Sequence, residues 1–438
     1  MTLPDLDTGF VGRRGALFGL ALRMSLLTVL TLGLYRFWMK TRLRRWYWSA
    51  IRPGGHPLEY VGEPLEKLLG FLIAVAFLAF YIGVVNLILM FLAFALLNGD
   101  VWAYAVSFLG IIPVVFFAQY RARRYLLSRT RWRGIRFGLE PAAWGYAWRS
   151  VGHWVVTILS LGLLWPRMTF GLEKYVTDRT WYGDARLVQT GRWQSLYRAA
   201  LHVGLGAAIL LIGAGLVLLS DDWDLMADVG GTMLGQIVGP AAGVVPIGWA
   251  VATAVLGFVW LGVGIMHYRV RSFRQLTAGK RLILPGQGDF GAGAPLGPGL
   301  RSGARTGRVL WIHGFGNVLS ALLMLVALIP AGIVLAIVLG VAESAFQSMA
   351  QQTPDLLEKL GAAPLLVQSV IGLAAYFALF ILWGVLRQVF VTLPLVAHYA
   401  GTLTLTDPRL LSDVRQRDRD SFAEADGLAE ALDLGAGL

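Results

Sequence analysis

Thr28-Val29-Leu30-Thr31-Leu32-Gly33-Leu34-Tyr35-Arg36-Phe37-Trp38 is the stretch on which the architecture turns, because it recurs as Thr157-Ile158-Leu159-Ser160-Leu161-Gly162-Leu163-Leu164-Trp165-Pro166-Arg167. Each copy ends an apolar segment, Leu17–Trp38 or Val151–Trp165, and each runs at once into arginine. Glycine accepts a positive φ where other residues resist it, so Gly33 and Gly162 are candidate turning points. A helix crossing a hydrocarbon core of about 30 Å needs about 20 apolar residues. A break at either glycine leaves arms too short to cross alone, so both segments are expected to enter a membrane, turn and return. The competing reading makes Gly33 a packing residue inside an ordinary span. The likeness extends further: residues 26–62 align without a gap to 155–191, with Gly54 on Gly183 and Gly62 on Gly191.

Composition explains why a membrane is the right frame. Of 438 residues, 56% are hydrophobic and 15% charged, and the mean hydropathy is +0.63. Soluble chains carry roughly a quarter charged residues, so much of this surface must face lipid. A soluble enzyme core, collagen and a disordered chain are excluded. The chain has no Cys, which removes disulfides, thiolate metal sites and a Cys nucleophile. Its net charge of +12 points to anionic headgroups rather than to nucleic acid. Met1–Gly12 is polar and no cleavage site follows the first apolar run, so that run is expected to remain in the mature protein.

Six more apolar stretches follow, at Leu68–Leu97, Trp102–Tyr120, Ala199–Leu219, Val244–His267, Val309–Val341 and Leu365–His398. Lys and Arg gather between Arg36 and Lys67, Arg121 and Arg149, Arg167 and Arg198, and Arg269 and Arg308; Ser220–Gly243 has four Asp and no basic residue. Basic loops stay on the cytoplasmic side, and eight crossings would strand one of them outside. The expectation is therefore an all-α polytopic protein of the bacterial inner membrane with both termini cytoplasmic. It has about six transmembrane helices in three hairpins, closed outside by Asn98–Val101, Ser220–Gly243 and Ala342–Ala363, plus two re-entrant or interfacial segments. Leu58-Glu59-Tyr60-Val61 and Arg133-Gly134-Ile135-Arg136-Phe137 alternate as strands do and predict short cytoplasmic β-hairpins. Pro285–Gly307 reads as a flexible loop. The units are a first membrane repeat at 1–150, a second at 151–284, a degenerate third hairpin at 285–412 and an acidic tail at 413–438.

Catalytic and metal motifs are missing. The six His show no metal-ligand spacing, and no phosphate loop or nucleophile elbow occurs, so neither an enzyme nor a cofactor is expected. His313-Gly314-Phe315-Gly316-Asn317 reads first as close helix packing. Asn86, Gln119, His313, Asn317, Gln368 and Arg387 are the intramembrane polar candidates, each more readily an interhelical bond than a substrate contact. The strongest signal is basic. Arg121, Arg123, Arg124, Arg129, Arg131, Arg133 and Arg136 alternate with Tyr125, Trp132 and Phe137, and Arg42, Arg44 and Arg45 precede Trp46. Arg can reach lipid phosphate while aromatics sit at the interface. Anchoring is the plain reading; a pocket for anionic lipid is the sharper one.

The run Leu27–Trp38, followed by Arg42, Arg44, Arg45 and Glu59-Tyr60-Val61-Gly62, resembles the YjgN-like family of bacterial inner-membrane proteins. Arg129-Thr130-Arg131-Trp132-Arg133-Gly134-Ile135-Arg136-Phe137-Gly138, Leu161–Pro166 and Glu424–Asp433 carry the same likeness. It covers nearly the whole chain and departs at 285–345, where a third Thr-Leu-Gly-like segment is not recognisable. The family is named for a domain of unknown function, so the resemblance implies location and architecture and no site residues. The function expected from the residues is handling or translocation of lipid or another amphiphile, with membrane lipids as partners. The alternative is a membrane scaffold or regulatory partner without transport.

Overall fold

The computed structural model describes residues 5–96, 109–219, 246–284, 298–352 and 363–417. It overturns the all-α expectation. Ten strands form one antiparallel sheet: β1 (Leu6–Phe10), β2 (Ile51–Pro53), β3 (Leu58–Tyr60), β4 (Thr130–Trp132), β5 (Ile135–Leu139), β6 (Thr180–Tyr182), β7 (Ala185–Gln189), β8 (Lys280–Ile283), β9 (Gly299–Ser302) and β10 (Leu403–Thr406). Their order is β2-β1-β10-β9-β8-β7-β6-β5-β4-β3. The two edge strands, β2 and β3, are consecutive in the chain and joined by a short turn at Gly54-Gly55, so the sheet curls into a nearly closed ring. Bringing the two edge strands side by side leaves little edge open to pairing with another chain.

The physical reason the sequence hides this sheet is strand length. Three to five residues carry barely one period of alternation, and each strand finds its second partner far along the chain. Leu58 faces Trp132, Leu187 faces Leu282 and Leu6 faces Leu405. The local hairpins are better marked. Arg133 and Gly134 have φ of +53° and +79°, the left-handed pair that a tight two-residue hairpin turn requires. Strand β1 occupies the start that reads as merely polar, and β9 lies inside the stretch expected to be a flexible loop.

Helices leave and return through one rim of the ring, in pairs between successive strand hairpins. The first pair is short, α1 (Arg14–Leu30) and α2 (Arg36–Ala50). The second comprises α3 (Pro64–Phe80), which runs through a π-helical turn at Tyr81–Asn86 into α4 (Leu87–Leu96), and α5 (Ile111–Ser128). The third is short again, α6 (Ala143–Leu159) and α7 (Trp165–Thr177). The fourth is α8 (Tyr197–Leu218) and α9 (Ile247–Ala278). The last is α10 (Thr306–Gln352) with α11 (Ala363–Arg387), which continues through a second π-helical turn, Gln388–Thr392, into α12 (Leu393–Gly401).

Five helices among the described residues are long and apolar enough to cross a membrane: 64–95, 193–218, 247–278, 306–349 and 369–401. This is an integral membrane protein. Of the sixth expected span, Trp102–Tyr120, residues 102–108 lie outside the described residues, and the described part enters α5, which carries Arg121, Arg123 and Arg124 in its second half. Of the expected closure at Ala342–Ala363, residues 342–352 are the end of α10, whose Ala, Glu and Gln favour helix, and 353–362 lie outside the described residues. The closures Asn98–Val101 and Ser220–Gly243 lie outside the described residues, as does the tail beyond Arg417.

Candidate functional site

Both short helix pairs turn in the same way. Leu32 and Leu161 each adopt φ +51°, and Gly33 and Gly162 follow at +91° and +85°. The amide of Gly33 donates to the Thr28 carbonyl (2.7 Å) and that of Leu32 to Val29 (3.0 Å); Gly162 donates to Thr157 (2.8 Å) and Leu161 to Ile158 (2.9 Å). These are the bonds of a Schellman helix end, with leucine at the left-handed position that glycine usually takes. The side chains repeat as well: the Thr28 and Thr157 hydroxyls each lie 3.8 Å from a methionine sulfur, Met39 and Met168. Leucine at a costly backbone position is left bare, Leu32 being 95% and Leu161 94% exposed. Leu30, Leu34, Leu159 and Leu163 surround them, also exposed, so each pair ends in an apolar tip.

Beside the first tip lies a cleft of about 210 Å³ between the α1–α2 pair and α11. Ser25, Thr28, Met39, Gly384, Val385 and Gln388 are among its walls. Gln388 begins the second π-helical turn and donates to the Tyr47 hydroxyl at 3.0 Å. Turns of this type are frequent at functional sites.

The arginines do not assemble into one pocket; they are distributed over the rim. Arg129 binds Glu66 through two hydrogen bonds, 2.8 and 3.1 Å. Burial opposes its charge, but the Glu66 carboxylate more than compensates and holds its pKa above the ordinary value. Arg123 lies 3.6 Å from Glu173 on α7, and Lys280 of β8 lies 2.5 Å from the same carboxylate. Burial would raise the Glu173 pKa; Lys280 first and Arg123 next outweigh it and hold it at about 2. Arg44 is buried between the Trp48 and Tyr60 rings, 5.7 and 5.4 Å from their centres. Arg45 donates to the Gly62 carbonyl at 2.9 Å. Arg121 lies over Phe117 and Arg133 over Trp132. Arg131 stands opposite Glu59 and Arg136 in the sheet. Arg124 is half-buried on α5, and Arg42 is exposed.

Asn86 is buried in the first π-helical turn, and its side-chain oxygen has no hydrogen-bond partner among the described residues. His313 is half-buried, and its carbonyl accepts from Asn317 at 2.7 Å. One turn on, a Cβ at Gly316 would stand 2.5 Å from the Phe390 carbonyl, so α10 and the second π-helical turn touch backbone to backbone. Gln119 is half-buried and Arg387 exposed. The Gln368 side chain is outside the described residues. Two features escape a linear reading. His202 and His267, far apart in sequence, bring their rings to 4.8 Å. Lys67 is fully buried at the start of α3, 4.9 Å from the Tyr60 ring. Among the described residues no group of three His, Asp or Glu could hold a metal.

Within the ring lies a partly open cavity of about 250 Å³. Side chains alternate across a strand, and the inward positions are Leu58, Trp132, Phe137, Leu187, Leu300 and Leu405, with Tyr182 and Leu282 beside them. Burial pushes the Tyr182 hydroxyl up to about 12, against the nearby Arg133 charge. No curated protein and no solved structure matches the chain. The model of one family, bacterial proteins of unknown function (DUF898), matches residues 5–283. The match spans more than half of the chain and agrees with the likeness carried by Leu27–Trp38, and the protein therefore belongs to this DUF898, or YjgN-like, family.

Proposed function

We propose that this protein handles lipid or another amphiphilic small molecule at the bacterial inner membrane, with the strand ring, its rim of arginines and both termini on the cytoplasmic side. The observation that carries the reading is the cleft between α11 and the apolar-tipped α1–α2 pair. Arg23 is exposed on α1, nine residues before Leu32, and Arg36 is exposed three residues after Gly33. At 1.5 Å per residue the tip reaches at most about 14 Å beyond Arg23. Arg36 must still snorkel to headgroups, so the pair rests in one leaflet. The second pair is alike. Arg149 and Arg167 flank its tip, and Trp144, Trp148 and Trp154 are exposed along α6, where indoles favour the interface. A lipid of the cytoplasmic leaflet would thus meet an apolar wedge, a cleft bearing hydroxyl and amide groups, and a basic rim for its phosphate.

Reconstitution into phosphatidylethanolamine–phosphatidylglycerol vesicles carrying fluorescent phospholipid tests this. The protein should accelerate lipid redistribution or retain phospholipid on purification, and Gly384→Trp, which fills the cleft, should abolish the effect. Neither acceleration nor retained phospholipid in the wild type would leave the scaffold reading in its place.

A further inference from the structure

We infer that the interior of the strand ring is a second site, separate from the membrane cleft: a dry chamber for one hydrocarbon chain whose oxygen-bearing end accepts the Trp132 indole N–H. Small barrels of about eight strands are filled by their own side chains or hold one small ligand. This ring has ten, and its inward Leu, Phe and Trp leave about 250 Å³ unfilled. Protein interiors seldom leave voids much larger than a water molecule, and an apolar void is destabilising in proportion to its volume. Water is a poor occupant, since a buried water needs two to four polar partners. Thr8, Lys280 and Arg281 also line the cavity, Lys280 being paired with Glu173, and a further donor on the wall belongs to Trp132. Trp132 is 5% exposed, and its indole N–H has no acceptor among the described residues. Tyr182, beside it, already spends its hydroxyl on the Trp132 carbonyl at 3.1 Å. A mostly hydrocarbon molecule with a single carboxyl, ester or hydroxyl oxygen satisfies both facts.

The chamber is also stoppered. After β10 the chain forms a short 3-10 turn, Pro408–Asp413, and Leu411 and Val414 pack against Trp132, Tyr182 and Leu282 at the end away from the helices. Arg415 accepts from the Asp184 amide (2.9 Å) and donates to the Asp184 carboxylate (3.0 Å). The Gln416 side chain accepts from the Arg136 amide at 2.8 Å, and Arg417 lies 3.8 Å over the Trp181 ring. These are local contacts to two strand hairpins, which can part without opening the sheet.

The test uses the full chain in nanodiscs and a hexadecanoic acid carrying a mid-chain diazirine. Photolysis followed by peptide mapping should place label on segments containing Leu58, Leu187 or Leu300. Leu300→Trp should cut that label at least fivefold, and Ala185→Leu, a smaller filling of the same ring, should cut it partly without unfolding the protein. Trp132→Phe should weaken retention of the acid several-fold while leaving a diazirine alkane unaffected. Gly384→Trp should leave ring labelling intact, which separates this site from the membrane cleft. Label confined to the membrane helices, ring label unchanged in Ala185→Leu, or cross-links showing residues 285–297 of the same chain inside the ring would each overturn the proposal.

Discussion

Glu173→Gln is the substitution with the clearest energetic consequence. The Glu173 carboxylate joins three parts of the chain: α7 that bears it, Lys280 at the start of β8 and Arg123 on α5. Its pKa is held at about 2 against an ordinary 4.5. At about 1.4 kcal/mol per unit, the charged form is favoured by about 3 kcal/mol in the folded state. The side chain is 22% exposed, so about 2–3 kcal/mol is the expected share after screening. The folded pKa lies below the unfolded one, so this stability is fully present above about pH 5 and is lost as pH falls toward 2. Unfolding in detergent micelles, followed by tryptophan fluorescence at pH 7, 5, 4 and 3, should show the wild type losing stability across that window. Glu173→Gln should start about 2 kcal/mol lower at pH 7 and respond less to acid. A double-mutant cycle with Lys280→Met should give a coupling of about 1–3 kcal/mol. Equal acid sensitivity in the two proteins, or a coupling under about 0.5 kcal/mol, would mean that the pair behaves as a surface ion pair, and the reasoning would fail.

The α8–α9 contact is a glycine interface. A Cβ at Gly206 would stand 2.5 Å from the Leu261 amide and one at Gly264 2.7 Å from the His202 carbonyl, while Gly213 and Gly257 abut Ala254 and Leu210. Gly257→Leu should force the helices apart at a cost of about 1–3 kcal/mol, read as a lower unfolding midpoint, whereas Gly262→Leu, with open space around it, should be neutral. Gly183 has φ +57°, and a Cβ there would overlap the Arg415 carbonyl. Gly183→Val should therefore release the stopper, seen as faster hydrogen exchange at Asp184 and Arg415. Glu66→Gln should leave Arg129 half-buried without its carboxylate and cost about 1–3 kcal/mol, and Arg129→Lys should recover only part, since lysine lacks the two-pronged geometry.

What could be read from the sequence, and what could not, divides by range. The membrane helices announce themselves because lipid demands long apolar runs. The repeated Leu-Gly step at 32–33 and 161–162 stands out because a helix end needs only six residues to specify it. The strands are different. Glu59-Tyr60 and Ile135–Phe137 show their alternation, but nothing near Leu403–Thr406 says that it will pair with Leu6–Phe10. The arginines' partners were illegible, since Arg129 meets Glu66 and Arg123 meets Glu173 only after the ring brings α3, α5 and α7 together. The chamber was invisible, for it exists only where the inward residues of all ten strands converge.

The ring also supplies a reason for the charge pattern that no loop supplies alone. Each helix pair begins and ends on hydrogen-bonded neighbours of one sheet, so both of its feet stand on the same side of the membrane. A pair can therefore cross twice or not at all, and never once. The α8–α9 and α10–α12 pairs have two apolar helices each and can cross twice. The pairs tipped by Leu32 and Leu161 carry Arg36 and Arg167 within a few residues of the turn and have no helix in the apolar set. The pair begun by α3 has one helix in the apolar set among the described residues, and α5 brings the chain back to Thr130 of the sheet. Arg123 of α5 meets Glu173 of α7, and Arg129, just past the end of α5, meets Glu66 of α3, so these charges join the helices to one another beside the ring.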